Sequence, residues 1–313
     1  KYRHLTKIKS TYVDTIPKLT DQKTGKLHTV YNQTGTTTGR ISSAEPNVQN
    51  IPIKTDLGLR VRKAFITQSQ EKSVLMSADY SQIELRVLAH FTKDQNLIQS
   101  FKNRIDIHSS TAAKIFKVPL EDISEEMRRI AKIMNFGVIY GLSPYGISQQ
   151  TGLTPEEGKK FTETYFNEFP GILKYIEKTK LMTKKDGYTQ TILGKRRYLP
   201  EINSKDFRIR SSAERMAINM PIQGTAAEII KLAMINMQKK LNEKKLKSVM
   251  TIQVHDELIF EVPKDELMEM VNLATEIMST SLEILVPLEI DIKTGVNWGQ
   301  MTPINIQLKS NFL

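Results

Sequence analysis

Apolar residues along this chain fall into two spacings, every second position and every third or fourth, and these divide it into strands and helices. Ser73-Val74-Leu75-Met76-Ser77-Ala78-Asp79 reads as a buried strand that ends on a carboxylate, and Ile83, Leu85, Val87, Leu88 and Phe91 follow at mostly helical spacing. Residues 249–254 and 258–262 alternate as two strands around a tight polar connection, His255-Asp256-Glu257. Ser124 is a candidate N-cap, with Glu125 and Glu126 in the first turn of a helix reaching about Tyr140. Thr154-Pro155-Glu156-Glu157 has the form of a capping box with Pro at the first helical position. Residues 187–199 predict a hairpin turning at Leu193-Gly194-Lys195. A long helix is expected from about Ser211 to Lys244, kinked at Pro221. Residues 263–284 predict a helix and 288–292 a strand, while 21–52, rich in Thr, Gly, Ser, Asn and Pro, read as turns and short extended pieces. Strands near both ends with helices between them predict an α+β fold with a helical insertion.

Composition narrows the function. The 313 residues suffice for one large domain or two moderate ones, and 39% apolar with 25% charged residues fits a real core. No apolar run approaches the roughly 18 residues that span a bilayer. With no cysteine there is no disulfide framework, thiolate metal site or cysteine nucleophile, which fits a reducing compartment. Lys and Arg total 45 against 34 Asp and Glu, a formal charge of +11. That surplus points to a polyanionic partner, nucleic acid first and an anionic membrane second, with plain solubility charge as the bland alternative. No strongly basic amphipathic helix stands out, so a membrane surface is the weakest reading. The chain opens Lys1-Tyr2-Arg3 without an initiator Met, so a processed or partial chain is expected.

Three groups of residues carry candidate chemistry. Asp79 ends an apolar strand, where an acid alone is more often a turn former than a ligand. A second acid, Asp256, sits at the tip of the expected hairpin. Hard Mg²⁺ takes oxygen ligands and typically one or two protein carboxylates, leaving room for substrate phosphates. In the helix 124–140, Arg128, Lys132, Phe136 and Tyr140 recur at every fourth residue and form a slanted stripe about 18 Å long. The cations occupy the N-terminal half, where the helix dipole adds positive potential, and the aromatics the C-terminal half. Singly, each is an exposed cation or a core aromatic; as a set, the order suits a nucleoside triphosphate laid along the helix. Arg129 is expected to point elsewhere.

Asp79-Tyr80-Ser81-Gln82-Ile83-Glu84-Leu85-Arg86, then Arg128, Lys132, Phe136-Gly137 and Tyr140-Gly141, then Val254-His255-Asp256-Glu257 resemble motifs A, B and C of family A DNA polymerases. Thr38-Gly39-Arg40-Ile41-Ser42-Ser43, Asn47-Val48-Gln49-Asn50-Ile51-Pro52 and Pro221-Ile222-Gln223-Gly224-Thr225-Ala226 resemble further segments, so that the likeness runs from about residue 1 to Gln300. The resemblance implies a right-hand α+β fold with an antiparallel palm sheet and helical fingers, the thumb mostly absent. It divides the chain into a thumb remnant (1–14), a first palm part (15–104), fingers (105–205), a second palm part (206–301) and an extension of unknown role (302–313). It implies that Asp79 and Asp256, with the Tyr80 backbone carbonyl, hold two Mg²⁺ ions, Mn²⁺ being able to substitute, and that Glu257 lies near them. It implies phosphate binding by Arg128, Lys132 and His108, with Lys132 also the proton donor to pyrophosphate, and stacking of Phe136 on the incoming base and sugar. Tyr140 would hold the template-base position until the fingers close, Glu84 would be the steric gate against a ribose 2′-hydroxyl, and Gln82 would belong to the nucleotide site. Arg40, Gln223 and His255 would touch the primer terminus or the minor groove, and Asn47, Asn50, Arg215 and Asn219 the template or primer. For each Asn or Gln the structural alternative is a turn or cap hydrogen bond.

The implied function is template-directed addition of deoxynucleoside triphosphates to a primer 3′-hydroxyl, on primer-template DNA, by a monomer of the cytoplasm (the bacterial nucleoid), with a phage or organelle as other sources. A single-subunit RNA polymerase shares the two-Asp palm, but Glu84 and Asp79-Tyr80-Ser81 favour deoxynucleotides. A non-catalytic nucleic-acid-binding module would need only the basic charge, and predicts the loss of an acid that is here retained.

Overall fold

The strand Ser73–Tyr80 (β1) has apolar residues at Val74, Met76, Ala78 and Tyr80, and a more polar set at Ser73, Ser77 and Asp79. Successive side chains of a strand point to opposite faces, so one face of β1 is suited to a core and the other to chemistry. In a computed structural model, which describes residues 2–53 and 55–304, β1 is the central strand of a five-stranded antiparallel sheet. Its companions are Val249–Val254 (β2), Glu257–Pro263 (β3), Ile290–Asn297 (β4) and Gln300–Pro303 (β5), in the order β2-β3-β1-β4-β5. Met76 and Ala78 stand opposite Phe260 and Leu258 of β3, and Ala78 and Tyr80 opposite Ile292 and Ile290 of β4. Against this apolar face packs the helix Leu267–Ser279, which buries Met270, Val271, Ala274 and Met278. The Tyr80 hydroxyl donates to the Met278 carbonyl at 2.8 Å and lies 3.2 Å from Ser281 Oγ, tying the end of β1 to the helix. Leu75, on the opposite face, belongs to a second cluster with Tyr12, Val48, Ile51, Val254, Ile259 and Trp298.

The chain divides into two units. The sheet belongs to the first, Lys1–Ser81, Ile229–Ser281 and Glu289–Leu313; the second, Gln82–Glu228 with Leu282–Leu288, is mainly helical. In the second unit, Ile83–Thr92 (α1) buries seven successive residues from Ile83 to Ala89, among them Glu84 and Arg86. Asp106 caps Ile107–Phe116 (α2), accepting from Ser109 N at 2.8 Å, and α2 packs on Glu125–Ile139 (α3). The expected capping box starts Pro155–Glu168 (α4): Thr154 and Glu157 exchange both hydrogen bonds. Pro170–Asp186 (α5) leads to a hairpin, Tyr188–Gln190 with Arg196–Tyr198. The helix Phe207–Lys244 (α6) contributes residues to both units.

Several sequence expectations are corrected. The helix expected over 263–284 is Leu267–Ser279, because Pro263–Glu266 forms a turn closed by a hydrogen bond from Glu266 N to the Pro263 carbonyl. The strand expected over 288–292 is Ile290–Asn297; residues 290–295 pair with β1, and Lys293, Thr294 and Asn297 with β5, partners that local pattern does not reveal. The connection of β2 and β3 is two residues, His255 and Asp256, with Glu257 already in the ladder. α6 begins at Phe207 and continues on both sides of Pro221. The C-terminal extension placed from residue 302 starts inside β5, and residues 305–313 lie outside the described residues. No described helix is long and apolar enough to cross a membrane.

Replacing Tyr80 by Phe removes a buried donor and leaves the Met278 carbonyl without it. The variant should lose about 1–2 kcal/mol of unfolding free energy, read as a lower urea midpoint at unchanged slope.

Candidate active site

Each unit carries one set of chemistry-bearing side chains. In the sheet, Asp79 is opposite Glu257 of β3 on one side and Asp291 of β4 on the other. Directly opposed residues share a face, so three acids stand in a row across adjacent strands, an arrangement that like-charge repulsion disfavours. Asp256 joins them from the turn, where its backbone carbonyl accepts from Tyr80 N at 3.1 Å. The turn is held in shape from outside: His255 adopts φ +52°, Gln253 Nε2 donates to the His255 carbonyl at 2.6 Å, and Gln49 Nε2 donates to Gln253 Oε1 at 2.9 Å. Tyr31 Oη accepts from Gln253 N at 2.8 Å.

The electrostatics follow from this crowding. Burial, then the Glu257, Asp256 and Asp291 charges, push the Asp79 carboxyl up to about 7, with Lys293 opposing. Desolvation also raises Asp256, against Arg40, 4.0 Å away, and His255; 26% of its side chain stays exposed, so solvent moderates the rise. Desolvation and then the Arg40 guanidinium hold the His255 imidazole below its usual value. Ser77 Oγ donates a short hydrogen bond to Glu257. Among the described residues no cluster of three or more His, Asp or Glu side chains is assembled to hold a metal ion. The donor set available is Asp79 and Asp256, with the Tyr80 carbonyl at the end of the same strand. Those donors fit Mg²⁺: all are hard oxygens, two of them are carboxylates, as Mg²⁺ typically takes from protein, and the negative charge around Asp79 is only partly balanced.

The second set lies around α3. Arg128 Nε and Nη2 each donate to Asp106 at 2.9 Å in a bidentate pair. Burial would raise the Asp106 carboxyl, but the bonds from Arg128 and Ser109 hold it at about 2. Lys132, four residues on, is exposed and has no ion-pair partner among the described residues. The Phe136 ring is half-buried, 5.7 Å from the ring of His108. Burial chiefly lowers His108 to about 4; Asp106 opposes the fall, and the Arg128 and Lys132 charges add to it, so this ring is neutral at pH 7. The Tyr140 hydroxyl donates to Glu84 Oε2 at 3.2 Å; Glu84 is 6% exposed and Tyr140 44%. Gln82 sits at the start of α1 in the left-handed region, φ +54°. Arg129 pairs with Glu126 at 2.6 Å, away from the stripe.

The remaining expected contacts divide between the units. In the first, Arg40 and His255 adjoin Asp256. Asn47 Oδ1 accepts from Gln49 N at 3.0 Å, the cap role weighed as its alternative, and the Asn50 carbonyl accepts from Tyr12 while its side chain is exposed. In the second, Arg215, Asn219 and Gln223 follow one another along α6. Asn219 Nδ2 donates to the Ile139 carbonyl at 3.4 Å. Gly141, at φ +64°, lies against Arg215, whose Cγ would be 2.6 Å from any Cβ there. Sequence reasoning missed Asp291, Asp106 and Asn135. Asp291 alternates with Ile290 and Ile292, a signal whose meaning depends on register. Asp106 stands where an N-cap is expected before α2. Asn135 sits among apolar residues of α3 and carries no signal of its own.

The chain is similar to known proteins over nearly its whole length. The sequence pattern of DNA polymerase family A matches residues 1–300. DNA polymerase I of Geobacillus stearothermophilus is 48% identical over 297 residues, covering 95% of this chain and 34% of that protein. The thermostable DNA polymerase I of Thermus aquaticus is 48% identical over 298 residues, 95% of this chain and 35% of that one. The chain therefore spans about a third of the length of these relatives. Among solved structures, the polymerase domain of Pol1 from M. smegmatis, in complex with DNA primer-template and dNTP, superposes with a TM-score of 0.91 at 45% identity, over 95% of this chain and 52% of that one. The match of the family's sequence pattern over residues 1–300, with a like fold over 95% of the chain, places this chain in DNA polymerase family A.

Proposed function

We propose that the chain carries out template-directed DNA synthesis, adding deoxynucleoside triphosphates to a primer 3′-hydroxyl and releasing pyrophosphate. The observation that carries this reading is the placement of Asp79 and Asp256 together at the end of β1, with Asp79 pushed up to about 7 by burial and its acidic neighbours. The related Pol1 domain, solved with primer-template and dNTP, supports the choice of substrates. On this reading the sheet is the palm, residues 105–205 the fingers and 1–14 the end of a thumb.

Asp79, Asp256 and the Tyr80 carbonyl hold the metals. When bound there, two Mg²⁺ ions, or Mn²⁺ in their place, would supply Lewis acidity to the transfer. Arg128, Lys132 and His108 bind the phosphates. Asp106 occupies Nε and Nη2 of Arg128, so phosphate meets the guanidinium at its remaining Nη1 edge or takes over the fork from Asp106. Lys132 Nζ, on an exposed side chain, delivers a proton to a pyrophosphate oxygen. Phe136 stacks on the base and sugar, with Gln82 beside the nucleotide. Tyr140 holds the template-base position. Arg40, His255 and Gln223 touch the primer terminus, and Asn47, Asn50, Arg215 and Asn219 the template or primer. Minor-groove acceptors are degenerate between base pairs, so such contacts test pair shape without reading sequence.

Primer extension with Mg²⁺, comparing deoxy- and ribonucleotides, tests the reading. Asp79→Asn and Asp256→Asn should each slow extension by about 10³-fold or more while primer-template affinity stays near wild type. Extension near the wild-type rate by either variant would overturn the assignment. Removing the central charge of the acidic row should also raise the melting temperature of metal-free Asp79→Asn.

Glu84 is buried and fixed by Tyr140, so it can exclude a 2′-hydroxyl by bulk. Glu84→Ala should increase ribonucleotide use relative to deoxynucleotide use in a competition assay. Unchanged discrimination would place the gate elsewhere.

A further inference from the structure

Beneath the stripe of α3 lies a sealed polar network. Asn135 and Thr111 are fully buried, Tyr165 likewise, and His108 is 3% exposed. Asn135 Nδ2 is 3.2 Å from His108 Nδ1 and 3.1 Å from Thr111 Oγ1. Asn135 Oδ1 accepts from the Tyr165 hydroxyl at 3.2 Å and lies 3.2 Å from Thr111 Oγ1. The four side chains come from three helices, α2, α3 and α4.

Proton counting fixes the direction of these bonds. Tyr165 is sealed, its phenol pushed further from ionisation by burial, and its hydroxyl hydrogen must find an acceptor. The Asn135 oxygen is that acceptor, which turns the amide NH₂ toward His108. A donor facing Nδ1 requires a lone pair there, so the proton of the neutral ring sits on Nε2. Nε2 has no protein partner among the described residues, and it is not one of the sealed polar atoms left unsatisfied. It therefore offers its hydrogen outward.

We propose that Asn135 is a positioning residue that holds His108 as the Nε2–H tautomer, so that the ring presents a neutral donor to a phosphate oxygen of the incoming nucleotide. The phosphate half of this inference rests on the reading of α3 given above; the tautomer half does not. The charged groups acting on His108 are Asp106 at the start of α2 and Arg128 and Lys132 on α3. Two of the three are cations, so a neutral donor adds a directed hydrogen bond without crowding in a third positive charge. An amide suits the position better than a carboxylate. A carboxylate in its place would accept from Nδ1–H, and the ring would then face phosphate with a bare Nε2 lone pair unless it took up a second proton.

The test uses the whole chain labelled with ¹⁵N-histidine. Nitrogen shifts of the free protein should show His108 protonated at Nε2 alone between pH 6 and 8; a proton on Nδ1 would overturn the proposal without any variant being made. Asn135→Asp, with folding checked by circular dichroism, should place the proton on Nδ1 at pH 8, a second proton joining at Nε2 only toward pH 6. Its affinity for a non-hydrolysable deoxynucleoside triphosphate with Mg²⁺ should fall about tenfold relative to wild type at pH 8 and recover toward pH 6. A purely structural asparagine predicts a loss independent of pH, and that result, or affinity equal to wild type at both pH values, would overturn it. His108→Phe separates the parent reading: weaker nucleotide binding supports the phosphate role. Affinity equal to wild type removes that role whatever the tautomer proves to be.

Discussion

The register of β1 between β3 and β4 governs everything else at the acidic site. Pairing Asp79 with Glu257 and Asp291 places three carboxylates abreast, and the two-residue turn adds a fourth. Burial and mutual repulsion make that cluster costly in the bare chain. The fold sustains it because the other face of the same strand is secured by apolar neighbours and by the Tyr80 hydrogen bond to the covering helix. Val74, Met76, Ala78 and Tyr80 thus secure one face, while the other passes from core packing at Leu75 to the acid at Asp79.

Much of this was legible in the sequence. The strand ending at Asp79, the capping box at Thr154 and the hairpin around Asp256 each have a local cause, and local causes leave local patterns. The stripe on α3 was legible for the same reason, since helical spacing alone groups Arg128, Lys132, Phe136 and Tyr140. What stayed hidden depends on partners distant in the chain. Asp291 reads as one more polar residue in an alternating strand until β4 is paired with β1. Asn135 reads as an interruption in the apolar face of α3 until α2 and α4 bring His108, Thr111 and Tyr165 to it. The helix 267–279 was overextended because apolar spacing continues past the turns that end it.

In the helical unit, side chains that the proposed function assigns to ligand contacts are engaged by other residues of the chain. Asp106 engages the guanidinium of Arg128 with the same fork geometry a phosphate would use, and Tyr140 engages the carboxylate of Glu84. Each pairing keeps a long side chain in one place. Arg128 is thereby held in one orientation by two hydrogen bonds to a single carboxylate.

The two-residue periodicity of β1 also shapes how this gene can vary. A conservative replacement at Val74 or Met76 alters packing by a methylene or two and leaves every acid on its own side of the sheet. Loss of a single codon between Ser73 and Ala78 would instead exchange the two faces, turning Asp79 toward the covering helix or breaking its alignment with Glu257 and Asp291. Lineages can therefore drift in the composition of this strand while its length is held, and indels in this neighbourhood should collect in the loop before Ser73, where no ladder counts the residues.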